Sequence, residues 1–198
     1  MRELALHLLD LAENSIAARA KNIAIWVEED TESDRLRMSV QDDGMGMDQE
    51  MVARVTDPFT TTRTTRKVGL GIPLLKAAAE ACNGWLEVQS APGKGTTVKI
   101  EFQHSHIDRM PLGDLTSTFL GLVIGAPHIH WVLGYRLNQN EFVFDDEPIK
   151  KELDGVALSE PAVIRFLQDY FEVGIKNIQL EKDDNSNPLT SQNGEERS

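Results

Sequence analysis

Apolar and polar residues alternate along the first half of the chain in a way that predicts four strands. Leu36, Met38 and Val40 alternate with charged and polar residues, which is the period-two pattern of a strand with one buried face. The same alternation predicts strands over residues 23–27, 85–91 and 96–102, and an acidic loop over 28–34. The last two strands are joined by a Pro-Gly-Lys-Gly turn, so they are expected to form a hairpin.

Helical periodicity precedes and separates these strands. Residues 2–20 contain no Gly or Pro, and their apolar residues recur every three or four positions, as in an amphipathic helix. Asp48 can cap a short helix that ends near Val55, and Pro73 suits the first turn of a helix that ends at Asn83. The first half therefore combines helices and strands in an α+β pattern.

Two acidic residues and two glycines follow the strand that contains Val40. Asp42 continues the buried phase of that strand, and a buried carboxylate needs hydrogen-bond donors, of which an adenine amino group is one. Gly44 and Gly46 can adopt positive φ and allow backbone to contact a flat ring. Asp-Gly between apolar runs is also typical of a hairpin turn, and these residues alone leave both interpretations open.

Asp10 and Asn14 lie one turn apart on the first predicted helix, so their side chains share a face that His7 and Ala17 extend. Asn14 offers a carbonyl oxygen suited to a hard cation, and Asp10 can orient a water or accept a proton. A solvated helix face is the alternative interpretation.

Residues 60–67 contain hydroxyl groups and three cations but no apolar residue. This mixture is typical of a mobile lid that closes over phosphates, although the cations could also be solvated. Gly69, Leu70 and Gly71 come next and lead into the helix, whose N-terminal amides are available to an anion. The lid residues predicted to contact the nucleotide are Thr61, Thr62, Arg63 and Lys67.

Composition limits the classes of protein. The chain has 198 residues, 40% of them apolar, and a net charge of −12, which opposes binding to nucleic acid or anionic membranes. No apolar run approaches the ~20 residues that span a bilayer, and acidic residues within the first helix exclude a signal peptide. With Cys82 as its single cysteine, the chain is expected in the cytoplasm, without membrane insertion and without a nucleic-acid partner.

Four short motifs occur in a meaningful order: Asp10-x3-Asn14, Asp42-x-Gly44-x-Gly46, Gly69-x-Gly71 behind the Thr/Arg loop, and Gly95-Thr96. Together they resemble the ATP-binding fold shared by gyrase, the heat-shock chaperone, histidine kinases and mismatch-repair ATPases. The resemblance covers residues 1–103. Residues 11–20 are most similar to the mismatch-repair version, and residues 59–102 to the histidine-kinase version.

This resemblance implies an α+β fold of Bergerat type, a two-layer sandwich of a mixed sheet with helices on one face. It also implies ATP and Mg²⁺ as cofactors. Asn14 would hold the metal, and Asp42 would accept a hydrogen bond from the adenine amino group. The other implied nucleotide contacts are Gly44 and Gly46 around adenine, Thr96 through a water, and Gly69, Leu70 and Gly71 at the hinge of the lid and the phosphates.

Two departures from the family's pattern concern activity. The acid four residues before the Asn is usually Glu in hydrolysing members and here is Asp10, whereas Glu13 points about 100° away on the helix. In addition, each of the five His residues is followed by a residue other than an acid, so self-phosphorylation on His has no support.

The second half predicts a small α+β docking or regulatory module over residues 104–178. The pattern indicates a helix over 112–124 and a hairpin of strands over 129–137 and 141–144. A final helix is predicted to begin near Pro161, and its predicted apolar face consists of Val163, Phe166, Leu167, Tyr170 and Phe171. Residues 179–198 are expected to be a disordered tail. The pairs His104-x-His106 and His128-x-His130 have strand spacing, which leaves a metal site open.

The leading hypothesis is an ATP·Mg²⁺-dependent regulator, a kinase or slow ATPase resembling histidine kinases and anti-sigma-factor kinases without their own acceptor domain. It would act on a separate partner protein, and a homodimer is left open. The alternative is a nucleotide-gated interaction module with little or no catalysis. A mismatch-repair-like ATPase is disfavoured by the negative charge.

Overall fold

The computed structural model describes residues 3–57 and 71–185. The helices in these ranges are α1 Leu4–Ala17, α2 Gln49–Thr56, α3 Gly71–Ala81, α4 Leu115–Gly125, α5 Asp146–Glu152 and α6 Pro161–Asn185. The strands are β1 Asn22–Asp30, β2 Arg35–Asp42, β3 Trp85–Ala91, β4 Gly95–Gln103, β5 His130–Leu137 and β6 Asn140–Asp145.

The six strands form one sheet in the order β3-β4-β2-β1-β5-β6. Neighbouring strands are antiparallel except for β1 and β5, which are parallel. The predicted mixed sheet is therefore confirmed. The parallel strands β1 and β5 require a long connection, and this connection contains the elements from β2 to α4.

One face of the sheet forms the core. Alternate residues of each strand point toward the helices, so residues that pair across strands are buried together. One such row crosses all six strands and consists of the partly buried Val88 and the buried Val98, Val40, Ile25, Leu133 and Phe144. The opposite face carries more exposed residues, among them Trp26, Lys99 and Arg136. This agrees with the predicted arrangement of helices on one face.

The second half of the chain is part of the same sheet. Strand β5 pairs with β1 over eight residue pairs, from Asn22 with His130 to Glu29 with Leu137. Leu4 N and Ala5 N at the start of α1 donate to the carbonyl oxygens of Pro111 and Leu112, at 2.9 and 2.8 Å. Both halves therefore share one continuous core, and the division at residue 103 into an ATP-binding domain and a docking or regulatory module stays a prediction.

Helix α4 begins at Leu115, later than the predicted residue 112. The Asp114 side chain accepts a hydrogen bond from Ser117 N at 2.9 Å and caps the helix. Gly113, with φ of +84°, cannot belong to a right-handed helix.

Helix α6 differs from the prediction in two ways. It continues to Asn185, so the predicted disordered tail from residue 179 starts too early. Up to residue 179, Ile178 is the last buried side chain of α6, and the helical backbone continues beyond it. The predicted apolar face is also divided, because Leu167 and Phe171 are buried whereas Phe166 and Tyr170 are exposed. Among the helices of the described ranges, none is both long and apolar enough to cross a membrane.

Candidate functional site

A cavity of about 260 Å³ opens between the C-terminal half of α1, the end of β2, α2 and the start of α3 and β4. Four of the residues predicted to bind nucleotide line it: Asn14, Asp42, Gly46 and Thr96. Most of the remaining wall is apolar and includes Leu11, Val40, Met47, Val55, Ile72 and Val98. The tertiary structure thus brings three of the four sequence motifs to one place.

Asp42 is the last residue of β2 and is only 9% exposed. Its Oδ2 accepts a hydrogen bond from Ser15 Oγ at 2.7 Å. Its Oδ1 accepts from Gly44 N at 2.8 Å and from Thr96 N at 3.3 Å. Because each carboxylate oxygen has two lone pairs, Oδ2 keeps one acceptor position. The carboxylate is therefore fixed in orientation and can accept a further donor.

Ser15 was absent from the predicted site residues. It is 4% exposed, follows Asn14 on α1 and, like Asn14, lines the cavity. Besides Asp42, its hydroxyl reaches the Leu11 carbonyl oxygen at 3.3 Å. The signal in the sequence was a serine at a buried position of an amphipathic helix, since a buried hydroxyl requires a partner.

The two glycines after Asp42 are required by backbone packing. Gly46 has φ of +66°, and a Cβ there would lie 2.0 Å from the Ala91 carbonyl oxygen. A Cβ on Gly44 would lie 2.8 Å from the Ala18 carbonyl oxygen. The hairpin-turn interpretation is wrong, because β2 pairs with β1 and β4 and the segment after it leads into α2. Contact of these glycines with adenine stays a prediction.

The loop that carries the glycines is attached at both sides. Met45 N donates to the Ala18 carbonyl oxygen at 2.9 Å, and Gly93 N donates to the Met45 carbonyl oxygen at 2.8 Å. Met47 N donates to Ser90 Oγ, which lies 2.9 Å from Thr96 Oγ1. These bonds hold one wall of the cavity against the turn between β3 and β4.

Asp10 lies beside the start of α3 and does not line the cavity. A Cβ on Gly71 would be 1.8 Å from Asp10 Oδ2, so only glycine allows this carboxylate to approach the helix. Helix N-termini stabilise negative charge. The structure therefore joins Asp10 to Gly71 and places Asn14 one turn away, while Glu13 is exposed.

His7 does not extend a solvated polar stripe, since it is 4% exposed. Burial, followed by the charge of the N-terminus, lowers the pKa of His7, and Asp10 opposes this change only in part. Its Nδ1 has no hydrogen-bond partner within the described ranges. A neutral imidazole follows from this environment.

Six predicted site residues lie outside the described residues: Thr61, Thr62, Arg63, Lys67, Gly69 and Leu70. Their roles stay predictions.

The predicted strand spacing of the His pairs is wrong. His104 and His106 follow β4 in a turn, and His128 lies in the turn before β5. His104 Nε2 is 2.7 Å from Glu29 Oε2. The chain does not stay extended through these pairs, because backbone hydrogen bonds close turns there. One example is the bond from His106 N to the Gln103 carbonyl oxygen.

Of the described residues, only His130, Asp145 and Asp146 form a group with metal-ligand spacing. His130 Nδ1 and Nε2 already lie 2.9 Å from Asn22 Oδ1 and Asp145 Oδ1. The buried Asp146 carboxylate lies 2.6 Å from Lys150 Nζ. Protein partners therefore account for this group.

The mixed sheet, the helices on one face and the cavity at the end of β2 define an α+β ATPase-type domain of the Bergerat class. A family model described as histidine kinase-, DNA gyrase B- and HSP90-like ATPase matches residues 2–106. This chain belongs to that family.

Two relatives share the family region. The sensor protein kinase FleS of Pseudomonas aeruginosa is 44% identical over 89 residues, which is 45% of this chain and 22% of that protein. The non-motile and phage-resistance protein of Caulobacter vibrioides is 35% identical over 111 residues, 52% of this chain and 13% of that protein. The chain thus spans less than a quarter of either relative's length.

A solved structure extends the likeness in fold. The Aquifex aeolicus MutL ATPase domain complexed with ADP aligns with a TM-score of 0.50 at 13% identity, covering 78% of this chain and 68% of that chain. Since the family model covers only residues 2–106, the likeness in fold includes part of the second half.

Proposed function

We propose that this protein binds ATP with Mg²⁺ in the cavity at the end of β2 and phosphorylates a separate partner protein in the cytoplasm. The observation that carries the proposal is the Asp42 carboxylate, which is buried, held by Ser15 and Gly44, and left with one acceptor position at the cavity. A buried acceptor of this kind selects a ligand with a donor, such as the adenine amino group.

The size and lining of the cavity suit the base of a nucleotide. Its volume of about 260 Å³ is slightly below the roughly 300–1,000 Å³ that encloses drug-sized ligands. Apolar residues such as Val40, Ile72 and Val98 provide flat contact surfaces, and Asp42 provides the polar group that fixes orientation. The base would fill the cavity, while the phosphates extend out of it.

Two residues at the side of the cavity suit the phosphate end. Asn14 lines the cavity and is exposed, and its amide oxygen is a ligand that Mg²⁺ accepts. The start of α3 at Gly71 presents backbone N–H groups to an anion. When bound, ATP supplies the transferable γ-phosphoryl group, and Mg²⁺ neutralises its charge.

Asp10 is the residue that we assign to proton transfer. Its carboxylate lies against Gly71, at the proposed phosphate site, and Asn14, the proposed metal ligand, follows one turn later on α1. There it can accept the proton of an attacking hydroxyl or imidazole group. The name of the sensor protein kinase FleS, at 44% identity over 89 residues, supports a kinase over an unrelated ATPase.

The direct test is incubation of the protein with γ-labelled ATP and a lysate of its own cells. Transfer of label to a lysate protein supports the kinase, and release of labelled phosphate alone indicates a slow ATPase. Absence of ATP binding by calorimetry in the presence of Mg²⁺ would contradict the whole proposal.

A nucleotide-gated interaction module is the second candidate, and the position of Asp10 favours it. The carboxylate lies against the start of α3 and outside the lining of the cavity. If the carboxylate of this shorter acid does not reach the nucleophile of a partner, the protein would bind ATP without turnover. ATP binding with neither transfer nor phosphate release would support this candidate.

A further inference from the structure

Helix α6 carries two separate apolar faces. One face is buried in the core and includes Leu167, Phe171 and Ile178. The other, here called the outer stripe, consists of Phe166, Tyr170 and Val173, which are 53%, 41% and 57% exposed. Because these residues are four and three positions apart, they form one continuous line along the helix.

The outer stripe is an ordered surface. The Tyr170 ring lies 5.6 Å from the ring of Phe142 on β6 and 6.1 Å from the ring of Phe166, measured between centroids. The Tyr170 ring thus packs against Phe142 of the edge strand and against Phe166 one turn earlier on α6. Contiguous exposed apolar residues on one helix face are the pattern that another helix covers.

The charged residues beside the outer stripe favour α6 of a second copy as the helix that covers it. Asp169 and Lys176 are exposed, seven residues apart along the same edge of the stripe, and neither forms an ion pair within residues 71–179. In an antiparallel two-fold pairing with Tyr170 against Val173 of a second copy, Asp169 of each copy lies beside Lys176 of the other. The stripe and its flanking charges are therefore complementary to themselves.

We propose that two copies of this chain associate through antiparallel packing of the outer stripes of α6. Three apolar side chains from each copy make a small interface, so the dimer forms weakly and depends on concentration. This association does not depend on nucleotide binding.

Sedimentation velocity of the full chain, from about 5 to 500 µM, measures the dimer. We expect Val173→Glu to weaken dimerisation about a hundredfold, since it places a charge in the stripe. Val156→Glu is the matched control, because Val156 is 51% exposed but lies outside α6, and it should leave the dimer unchanged. Circular dichroism checks that each variant remains folded.

A charge exchange tests the antiparallel arrangement. Asp169→Lys and Lys176→Asp should each weaken the dimer about tenfold, because each replaces two attractive pairs by two repulsive pairs. Combining the two substitutions should restore the affinity, which a role within one chain cannot explain. A wild-type protein that stays monomeric at all concentrations, a dimer unaffected by Val173→Glu, or a failure of the double variant to recover would overturn the proposal.

Discussion

Replacement of Asp42 by Asn tests the adenine assignment with little change in shape. In the folded protein, Oδ1 accepts from Gly44 N and Thr96 N, so the amide oxygen should remain at that position. The amide nitrogen then takes the place of Oδ2 beside Ser15. The Ser15 hydroxyl can accept from it and turn its own hydrogen to the Leu11 carbonyl oxygen, already 3.3 Å away.

The expected effect on binding is much larger than the effect on stability. A donor now occupies the free acceptor position, so the adenine amino group loses a charge-assisted hydrogen bond worth about 1.5–3 kcal/mol. This corresponds to a loss of affinity of roughly 10- to 150-fold. Because the internal hydrogen bonds can be remade, we expect the melting temperature to change by less than about 5 °C.

Isothermal titration calorimetry with a non-hydrolysable ATP analogue and Mg²⁺ measures this loss. Asp43→Asn is the matched control, because the neighbouring Asp43 is exposed and accepts hydrogen bonds from Lys21 N and Asn22 N, at 2.7 and 2.9 Å. It should bind with wild-type affinity. Equal affinity of Asp42→Asn and wild type, or a larger loss in Asp43→Asn, would refute the reasoning.

Three further predictions concern backbone strain, catalysis and acid stability. Gly46→Ala should destabilise the fold by about 2–4 kcal/mol in urea denaturation, because its φ of +66° and the neighbouring carbonyl oxygen exclude a Cβ. Asp10→Asn should abolish phosphoryl transfer in the γ-label assay and leave ATP affinity largely intact, since the amide keeps the shape and loses the basic oxygen. Hydrogen bonds from the Gln103 side chain, and then from Ser105, hold the pKa of Asp34 below its usual value. The ionised form therefore stabilises the fold above pH 4, and this contribution is lost as pH falls through the lowered pKa, which denaturation between pH 2 and 6 should show.

Each of these predictions has a control on the same chain. Gly93 has φ of +73°, but a Cβ added there meets open space. Gly93→Ala should therefore lower the free energy of unfolding by only about 1–2 kcal/mol. Glu13→Gln should transfer phosphate normally. Loss of transfer in Glu13→Gln, with transfer retained in Asp10→Asn, would assign the catalytic role to Glu13 instead. Asp34→Asn should make stability less dependent on acid pH by the contribution of Asp34, and an unchanged pH profile would contradict the assignment to Asp34.

The sequence determined the elements and the order of the site motifs, because both depend on local patterns. Alternation in Leu36, Met38 and Val40 fixes which face of β2 is buried, and this phase alone places Asp42 on the inner side. Asn14 and Asp42 could be assigned to one site because their motifs occur in the same order as in a family of ATPases. Both residues line one cavity in the structure.

Local patterns in the sequence could not predict the contacts between distant segments. Nothing near His130 or Leu137 indicates that β5 lies parallel to β1, since the pairing joins residues about a hundred positions apart. The second half therefore appeared as a separate module, although it completes the sheet. Likewise, the hydrogen bond of Ser15 to Asp42 spans 27 residues and depends on how α1 packs over the sheet.

Periodicity also could not separate the two apolar faces of α6. It identifies apolar positions, but burial depends on which neighbours the tertiary structure provides, and only one face of α6 meets the core. The sequence determined that α6 is apolar on one broad side, and the packing of β6 and α4 decided that Phe171 is covered while Phe166, Tyr170 and Val173 remain at the surface.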